Sequence, residues 1–485
     1  MTIMTKWRPT RPACRGPAAR IGAPVLAALA AGCVSRADFS VPAPPLPVRF
    51  EVAAAPLPAG PLTAGDVVAL VRERNPTVAQ ARARAEAAAG ALDAAESALL
   101  PRLTAGASYA RSDAPSAYLL SRIDSHSLPA MVDFNHPGRV QSVDGALTAR
   151  WNAWDGGTSR LESWARGSDA AAAELGSGAA ANALSAAALA AFLDARAAAQ
   201  LLAADDASVR SVESQIGQTR TRVEGGAALR SDLLSLEVRL AEARESRIRN
   251  DVARRMALAA LRGLLALPAD ADVALSGEAF LPSTLPSSLP EAVAEAFRRR
   301  PDVASARLAV ESARLRLEAA SRGSLPRVDV EARAWSASGD ATLLNRDPNW
   351  TVALAVTFDA FDGGANRAAV RGARAALRAV EEADRRALLE VASDVETALL
   401  RLEEATARVD VASQAVSAAE ESLALVDTEY RGGAATVTRF LEAESACLRA
   451  RTAVVASRLA LERARVDVAR AIGLFAGPGE LEVVR

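Results

Sequence analysis

Two long stretches of the chain repeat apolar residues at helical spacing. From Leu388 to Tyr430 the apolar positions recur every three or four residues, which predicts the seam of a helix wound to coiled-coil period. Gly432-Gly433 ends that helix, and a second apolar series from Val437 to Val466 predicts a helix that runs back beside it. At ~1.5 Å per residue, a helix over 365–431 would be about 100 Å long. The sequence therefore predicts a very long helical hairpin at 365–475.

The hairpin is predicted twice, because its flanking motifs recur. An aromatic-Asp-Gly-Gly turn precedes each hairpin and Gly-Gly-Ala-Ala lies at each tip, both at an offset of 207 positions. These are Trp154-Asp155-Gly156-Gly157 with Phe361-Asp362-Gly363-Gly364, and Gly225-Gly226-Ala227-Ala228 with Gly432-Gly433-Ala434-Ala435. Upstream, Asn75-Pro76 and Leu100-Pro101 recur 225 positions later as Arg300-Pro301 and Leu325-Pro326. A repeat of about 200 residues indicates a duplicated half-protein rather than a solenoid.

Alternation of apolar and polar residues predicts two strands in each repeat. The expected strands are at about 102–111, 142–153, 327–336 and 350–360. About ten residues with one apolar face suit a strand that crosses a bilayer, and aromatic residues near its ends suit an interfacial girdle. The candidate girdle residues are Tyr109, Trp151, Trp154, Trp335, Trp350 and Phe358. A half-buried sheet in a soluble protein would alternate in the same way and stays open as the alternative.

Four strands do not close a membrane barrel. Lipid offers no hydrogen-bond partner to a sheet edge, and about eight strands are the practical minimum for closure. Other chains must therefore complete the barrel, and the strands alone leave their number open. The predicted fold is mainly α with a membrane β-barrel contribution, built from duplicated coiled-coil hairpins and four strands per chain.

The chain begins with the features of an export signal. A basic start precedes a short, alanine-rich apolar run at 21–31, which is too short to span a bilayer. Leu29-Ala30-Ala31-Gly32-Cys33 resembles the lipobox of bacterial lipoproteins and predicts lipidation of Cys33; ordinary cleavage beside an incidental cysteine is the alternative. The expected organisation is a signal peptide (1–32), a proline-rich leader (33–61), the first repeat (62–267, hairpin 158–267), a connecting segment (268–290), the second repeat (291–475) and a tail (476–485).

Composition and charge exclude several classes of function. Hydrophobic residues make up 50% of the chain but aromatic residues only 4%, which favours close-packed, alanine-rich helices. The net charge of −1 gives no basic footprint for nucleic acid. The sequence contains no run of eighteen apolar residues, so no membrane helix is predicted. The two histidines, His126 and His136, fall in a predicted outer loop at 111–141 without further ligands, so neither a metal site, a cofactor nor an enzyme active site is expected.

The order of these elements resembles the bacterial outer membrane efflux proteins, the TolC-like channel-tunnels, over residues 62–475. The tip sequence from Tyr430 to Glu444 is similar to the family's Tyr-x-x-Gly…Asp-Val-Leu-Asp-Ala pattern. The resemblance implies a homotrimer, with twelve strands as a barrel in outer-membrane lipid and twelve helices as a tunnel across the Gram-negative periplasm. It implies a passive duct for tripartite efflux or type I secretion, docked to a periplasmic adaptor and driven by an inner-membrane pump of RND or ABC type. A periplasmic adaptor and a structural coiled-coil envelope spacer are the alternatives.

The resemblance also implies a gate at the hairpin tips. Tyr430 and Asp232 match the tyrosine and aspartate of the family's interprotomer latch, whereas Ala435 occupies the position of its arginine. Arg439 and Glu442 stand where the family has two entrance aspartates.

Two further expectations concern these tips. Arg230 and Arg439 are candidate cations for Asp232 or Glu442, because arginine and carboxylate form charge-assisted hydrogen bonds; solvated tip charges are the alternative. Small residues that allow close backbone approach by an adaptor are Gly225, Gly226, Ala227, Gly432, Gly433 and Ala434.

Overall fold

The computed structural model describes residues 60–131, 133, 135, 136, 138–226, 228–276, 285, 286, 288–338 and 348–476. The predicted signal peptide, Cys33, all but the last two residues of the leader, Ala227 and the tail beyond residue 476 lie outside the described residues.

The described residues form the same series of elements twice in a mainly helical chain, with one additional helix between the strands of the first repeat. The first repeat contains α1 (Ala64–Arg74), α2 (Pro76–Ser97), β1 (Arg102–Ser112), α3 (Pro115–Asp124), β2 (Val140–Trp154), α4 (Thr158–Glu224) and α5 (Arg230–Leu264). The second contains α6 (Leu289–Arg299), α7 (Pro301–Ser321), β3 (Arg327–Ser338), β4 (Asn349–Thr357), α8 (Ala365–Arg431) and α9 (Val437–Ala471). The long helices α4 and α8 have 67 residues each and the return helices α5 and α9 have 35 each.

The aspartate of each Asp-Gly-Gly turn caps the long helix that follows. The carboxylate of Asp155 accepts hydrogen bonds from the backbone N–H of Gly157 at 3.0 Å and of Ser159 at 2.9 Å. The carboxylate of Asp362 accepts the matching bonds from Gly364 and Asn366, both at 2.7 Å. Both glycines of each turn have positive φ, between 66° and 93°, a region that favours glycine. The motif therefore recurs because its geometry requires these residue types.

The predicted outer loop at 111–141 contains a helix, which corrects the sequence expectation. Pro115 stands at the start of α3. There its fixed φ suits the helix and its missing N–H costs nothing. The backbone carbonyl of Asp124 at the helix end accepts a hydrogen bond of 2.8 Å from the Asn349 side chain. The described residues contain no group of three or more His, Cys, Asp or Glu placed to hold a metal ion.

Helices of the two repeats pack side by side at two levels. Near the sheet, α4 packs between α2 and α7, and α7 packs in turn against α8. Toward the tips, α4 packs between α5 and α9, and α9 pairs with α8. The predicted seam of α8 is turned inward, because Val391, Val395 and Val426 are buried. The chain thus runs from α2 and α5 at one edge to α8 at the other.

Among the described residues, one helix meets the length and composition expected of a membrane span. An 18-residue window of α4 has a mean hydropathy of 1.4, which the strict count of apolar runs in the sequence did not register. Within the chain 44% of that window is buried, and α4 packs against α2, α5, α7 and α9, so its length and composition are weak evidence for a membrane span.

Candidate functional site

The four strands form one antiparallel sheet in the order β1-β2-β3-β4 whose two faces differ in chemistry. The cross-strand register places alternate apolar side chains together on one face: Leu103, Ala107, Tyr109, Val143, Leu147, Trp151, Val328, Val330, Trp350, Val352, Leu354 and Val356. Most of these are exposed in the single chain. A large exposed apolar face indicates a surface that contacts lipid or protein.

The opposite face of the sheet is polar and hydrogen-bonded across strands. Arg150 on β2 donates to Glu331 on β3 at 2.8 Å, and the Asn152 side chain donates to Asp329 at 3.0 Å. The same face carries Arg102, Thr104, Ser108, Asp144, Thr148, Arg333, Thr351 and Thr357. The sheet therefore has one face suited to hydrocarbon and one suited to water.

Five of the six candidate girdle residues lie at the ends of the apolar face. Tyr109 and Trp350 lie at the end nearer the β1–β2 and β3–β4 connections, and Phe358 follows β4 at the end nearer the helices. An irregularity in the β2–β3 register at 152–154 keeps Trp151 and Trp154 on the same face at that helical end. From Trp350 to Phe358 the strand spans ~26 Å at ~3.3 Å per residue, close to the height of a lipid-facing band.

Trp335 is a correction to the predicted girdle. It pairs with Ala146 and Asn349 on the polar face, where the guanidinium of Arg333 lies 5.2 Å from its ring centre. Side chains two apart on a strand share a face. Trp335 therefore follows the parity of Asp329, Glu331 and Arg333 rather than that of the apolar residues.

The predicted tip residues lie in two matching helix ends. Gly226 and Gly433 have φ of 72° and 78°, so each turn depends on glycine for its backbone conformation. A Cβ added to either residue would meet no heavy atom of the described chain within 4 Å. Glycine is thus explained here by conformation, and the tips are open on the side where these residues lie.

Tyr430 joins the two hairpins at the tips. Its hydroxyl shares a hydrogen bond of 3.2 Å with the hydroxyl of Thr219 on α4. Its ring stacks on Phe440 of α9 with centres 5.2 Å apart, and the guanidinium of Arg222 lies 5.7 Å from the ring centre. The side chain is buried, so the hydroxyl contact is shielded from water. Three helices, α4, α8 and α9, therefore meet at Tyr430.

Among the described residues, the other predicted gate residues do not join the two hairpins as Tyr430 does. Asp232 accepts a hydrogen bond of 3.4 Å from the backbone N–H of Leu229 and so caps the start of α5. Arg439 lies 3.4 Å from Glu429 rather than beside either predicted partner. Arg230 is exposed at the first turn of α5, and Glu442 lines a cavity between α5 and α9.

A buried ion pair that was not predicted from the sequence lies near these tips. Glu444 of α9 is buried and accepts hydrogen bonds from Arg239 of α5 at 2.7 Å and from the hydroxyl of Ser208 of α4 at 3.1 Å. Burial lowers the pKa of Arg239, but the hydrogen bond and charge of Glu444 outweigh it, so the pKa is raised above its usual value. The sequence feature that could have indicated this pair is Glu444, a carboxylate four residues after Phe440 on an apolar helix face.

The profile of one protein family matches residues 67–267 and 292–474, which together make up most of the chain. Its description is outer membrane efflux protein. The chain belongs to this family. As an outer membrane efflux protein, it is located in the outer membrane and takes part in transport, and both its family and its fold are those of channel proteins.

Individual relatives and solved structures are consistent with membership of this family. The pyoverdine export outer membrane protein OpmQ of Pseudomonas aeruginosa is 26% identical over 179 residues, which cover 37% of this chain and 38% of that relative. The open state of the MtrE outer membrane channel of Neisseria gonorrhoeae matches 84% of this chain and 88% of its own, with a TM-score of 0.73 and 21% identity. A membrane protein from Pseudomonas aeruginosa matches 84% and 93%, with a TM-score of 0.74 and 22% identity. The aligned segment thus spans little more than a third of the curated relative, whereas the fold extends over most of the chain.

Proposed function

We propose that this efflux protein is the passive outer-membrane duct of a tripartite efflux or type I secretion system and works as a homotrimer. The observation that carries the proposal is that, within the described residues, every layer ends in an edge without a partner. β1 and β4 are the outer strands of the sheet, and α5 and α8 are the outer helices toward the tips. One closed ring of copies satisfies all of these edges together.

The sheet edges suit closure with copies of the same chain. Four antiparallel strands place β1 and β4 in opposite directions, so β4 of one copy and β1 of the next continue the antiparallel pattern. Three copies supply twelve strands, above the minimum of about eight for a barrel. Such a barrel presents the apolar face to lipid and the polar face to the lumen, which suits the alternation of a membrane barrel.

The helix edges suit the same partner. Large apolar side chains are exposed on α5 and on α8: Leu234, Val238, Ile248, Val252 and Met256, and Leu389, Leu400, Val411 and Leu425. α8 runs toward the tips and α5 runs away from them. Leu425, Val411 and Leu400 on α8 therefore lie at heights similar to those of Leu234, Ile248 and Met256 on α5. Exposed apolar stripes of this length are typical of interaction surfaces.

In this proposal the duct needs passage and a constriction rather than a catalyst. The tip contacts of Tyr430 and Glu444 are the proposed constriction, together with Asp232, Arg230, Arg439 and Glu442 from neighbouring copies. The open sides of the glycine tips are the proposed docking surface for a periplasmic adaptor, and an inner-membrane pump supplies the energy.

The rival functions lack an explanation for the sheet. An adaptor or a coiled-coil spacer would use the hairpins, but neither requires an exposed apolar face bordered by aromatic residues. For cargo, the relative named for pyoverdine export makes that compound the first to test, on the strength of a 179-residue match.

Single-channel conductance in a planar lipid bilayer tests the proposal. The purified trimer is expected to give a stable, small conductance. Removing two tip contacts in Tyr430→Phe with Asp232→Ala is expected to enlarge it, whereas Tyr118→Phe, in α3 far from the tips, should leave it unchanged. If folded trimers of both the wild type and the tip variant stay silent, the spacer becomes the better function.

A further inference from the structure

The two Asp-Gly-Gly turns have the same backbone but different surroundings. We call Asp155-Gly156-Gly157 the first turn and Asp362-Gly363-Gly364 the second turn. A Cβ added to Gly156 would lie 2.8 Å from Cδ1 of Leu325, and one on Gly157 would lie 3.1 Å from the guanidinium of Arg322. For Gly363 and Gly364, no heavy atom of the described chain comes within 4 Å of that position.

The difference does not come from the turns themselves. Both have two glycines with positive φ and an aspartate that accepts two backbone hydrogen bonds. It comes from what lies beside them: the first turn contacts the Leu-Pro motif of the second repeat, and Arg322 also donates to the carbonyl of Gly156 at 3.2 Å. The second turn is made to the same pattern, so it has a surface shaped for the same kind of side chain.

The leucine that corresponds to Leu325 is exposed on the far edge of the chain. The 225-residue offset relates Leu325 to Leu100, and their exposed fractions are 45% and 66%. The aromatic residues beside the turns differ in the same sense. Trp151 and Trp154 are 41% and 47% exposed, whereas their counterparts Phe358 and Phe361 are 61% and 90% exposed. A neighbouring copy would cover the more exposed residues, Leu100, Phe358 and Phe361. It would have to lie beside this chain as the second repeat lies beside the first.

The strands show the same asymmetry. β2 pairs with β3 and continues to Trp154, which corresponds to Phe361 in the second repeat. β4 pairs with β3 on one side and ends at Thr357, four residues earlier. The sequence prediction placed this end at about 360. A strand on the free side of β4 would provide the pairing that β3 provides for β2.

We propose that the second turn receives Leu100 of the partner subunit, a second copy of this chain, as the first turn receives Leu325 within the chain. This rests on the homotrimer of the proposed function. The contact fixes a register for the strands: Ala149↔Ala332 within the chain becomes Val356↔Ala107 of the partner subunit. Both residues belong to the apolar face of their own strands, as pairing in one sheet requires.

The same comparison shows what the contact between copies lacks. Within the chain, the carboxylate of Asp169 on α4 accepts hydrogen bonds from Ser312, at 2.7 Å, and from Arg316 on α7. The corresponding positions are Ala376 on α8 and, on α2, Ala87 and Ala91. Alanine side chains at these positions form no polar clamp, so near the sheet we expect the association of copies to depend on strand pairing and on Leu100 in the second turn.

Disulfide trapping with the pair Ala107→Cys and Val356→Cys tests the register. Paired antiparallel residues have Cα atoms ~4.5–5.5 Å apart, within the range of a disulfide. The full-length protein in detergent, treated with a mild oxidant, is expected to give covalent dimers and trimers on a denaturing, non-reducing gel. The wild type provides the baseline, since its one described cysteine, Cys447, is buried.

Two matched pairs control the experiment. Ala149→Cys with Ala332→Cys has the same geometry within one chain and should lose its free thiols without any increase in mass. Ala107→Cys with Val352→Cys is displaced by four residues, about 13 Å along the strand, and should give no ladder. A ladder from the displaced pair, or no ladder from Val356 while the internal control oxidises, would overturn the proposal.

Truncation of the two leucines tests the turn. Leu100→Ala is expected to lower the temperature at which the trimer dissociates in detergent, with the secondary structure of the dissociated chain unchanged, whereas Leu325→Ala destabilises the chain itself. Equal trimer stability in wild type and Leu100→Ala would contradict the contact. The conductance of the wild type is measured separately. A conducting protein without the ladder refutes only this register, and a ladder from a protein that never conducts refutes only the channel.

Discussion

The seam between the two repeats is built differently at its two ends. Near the sheet, the upper seam consists of Leu325 packed on the first turn and the Asp169–Arg316 contact. Near the tips, the lower seam consists of the Glu444–Arg239 ion pair and the Tyr430–Thr219 hydrogen bond. The upper seam therefore combines a shape contact with a partly exposed polar contact, whereas the polar partners of the lower seam are more deeply buried.

This difference matters for the proposed duct, in which the membrane end would stay fixed and the tips would open. A leucine packed against a glycine of positive φ has one well-packed arrangement, because displacing either residue loses close van der Waals contacts. Buried charges can exchange partners, but a charge left alone is costly, so they favour discrete states over gradual loosening. The lower seam is thus the better candidate for two alternative packings, and the upper seam for a fixed anchor.

The largest expected effect comes from breaking the upper seam. Gly156→Ala forces a Cβ into a position 2.8 Å from Leu325 at a φ of 74°. Backbone strain of roughly 1–3 kcal/mol and overpacking of roughly 1–3 kcal/mol give an expected loss of about 2–6 kcal/mol in the free energy of unfolding. Denaturant unfolding followed by circular dichroism measures it.

The matched control for this substitution is Gly363→Ala. It meets no neighbour in the described part of the chain, so a single chain should lose only the strain of about 1–3 kcal/mol. Equal losses from both substitutions in dissociated chains would show that the packing of Leu325 on the first turn contributes nothing.

The next effect comes from the lower seam. Arg239→Met keeps the aliphatic stem but leaves the buried carboxylate of Glu444 with Ser208 as its remaining hydrogen-bond partner in the described chain. The expected loss is about 2–3 kcal/mol, below the 3–5 kcal/mol typical of broken buried pairs because Arg239 is partly solvated. In a bilayer the same variant should show a larger or less stable conductance, because the released tip belongs to the proposed constriction.

Arg244→Met controls for loss of charge on the same helix. Arg244 bonds Glu213 of α4 at 2.8 Å, but both side chains are exposed. Such a pair contributes about 0–1 kcal/mol. If Arg244→Met were as damaging as Arg239→Met, the buried position of Glu444 would have no special role.

The sequence predicted those parts of the fold that depend on local periodicity. Spacing of three and four located the seam of α8, and alternation located the four strands, because each pattern is a property of one element. The Glu444–Arg239 pair needed three helices to be placed first, and the Leu325 contact needed the neighbour of the first turn to be known. The polar position of Trp335 could have been read from strand parity, and α3 from the proline at its first turn.

A smaller effect concerns the single hydroxyl contact of the lower seam. Thr219→Val keeps the shape of the side chain but removes the partner of the buried Tyr430 hydroxyl. The expected loss in unfolding free energy is about 1 kcal/mol, the cost of one hydrogen bond and an unpaired buried group. Thr221, two residues along on the exposed side, donates its hydroxyl to the carbonyl of Gly217, so Thr221→Val should change the free energy of unfolding little. A lower seam held by packing alone would give the same result for both valines.

The smallest effect is a dependence on acid at the upper seam. Burial raises the pKa of Asp155, but hydrogen bonds from Ser159 and Gly157 outweigh it, so its pKa lies below the usual value of 3.8. Backbone hydrogen bonds from Asn366 and Gly364 likewise lower the pKa of Asp362. A lowered folded pKa means that each carboxylate stabilises its turn fully above its usual pKa, and that this contribution is lost as pH falls through the lowered value.

Acidification from pH 7 to about pH 5 should therefore leave both turns intact, and loosening should begin only below about pH 4. Hydrogen exchange of the Gly157 and Ser159 amides, measured relative to amides in the middle of α4, follows the first turn. Asp155→Asn should weaken that protection already at neutral pH and remove its dependence on acid. Loss of protection between pH 7 and pH 5 in the wild type would mean that a group other than Asp155 holds the first turn. The contact between Leu325 and the first turn would then not depend on the cap formed by Asp155.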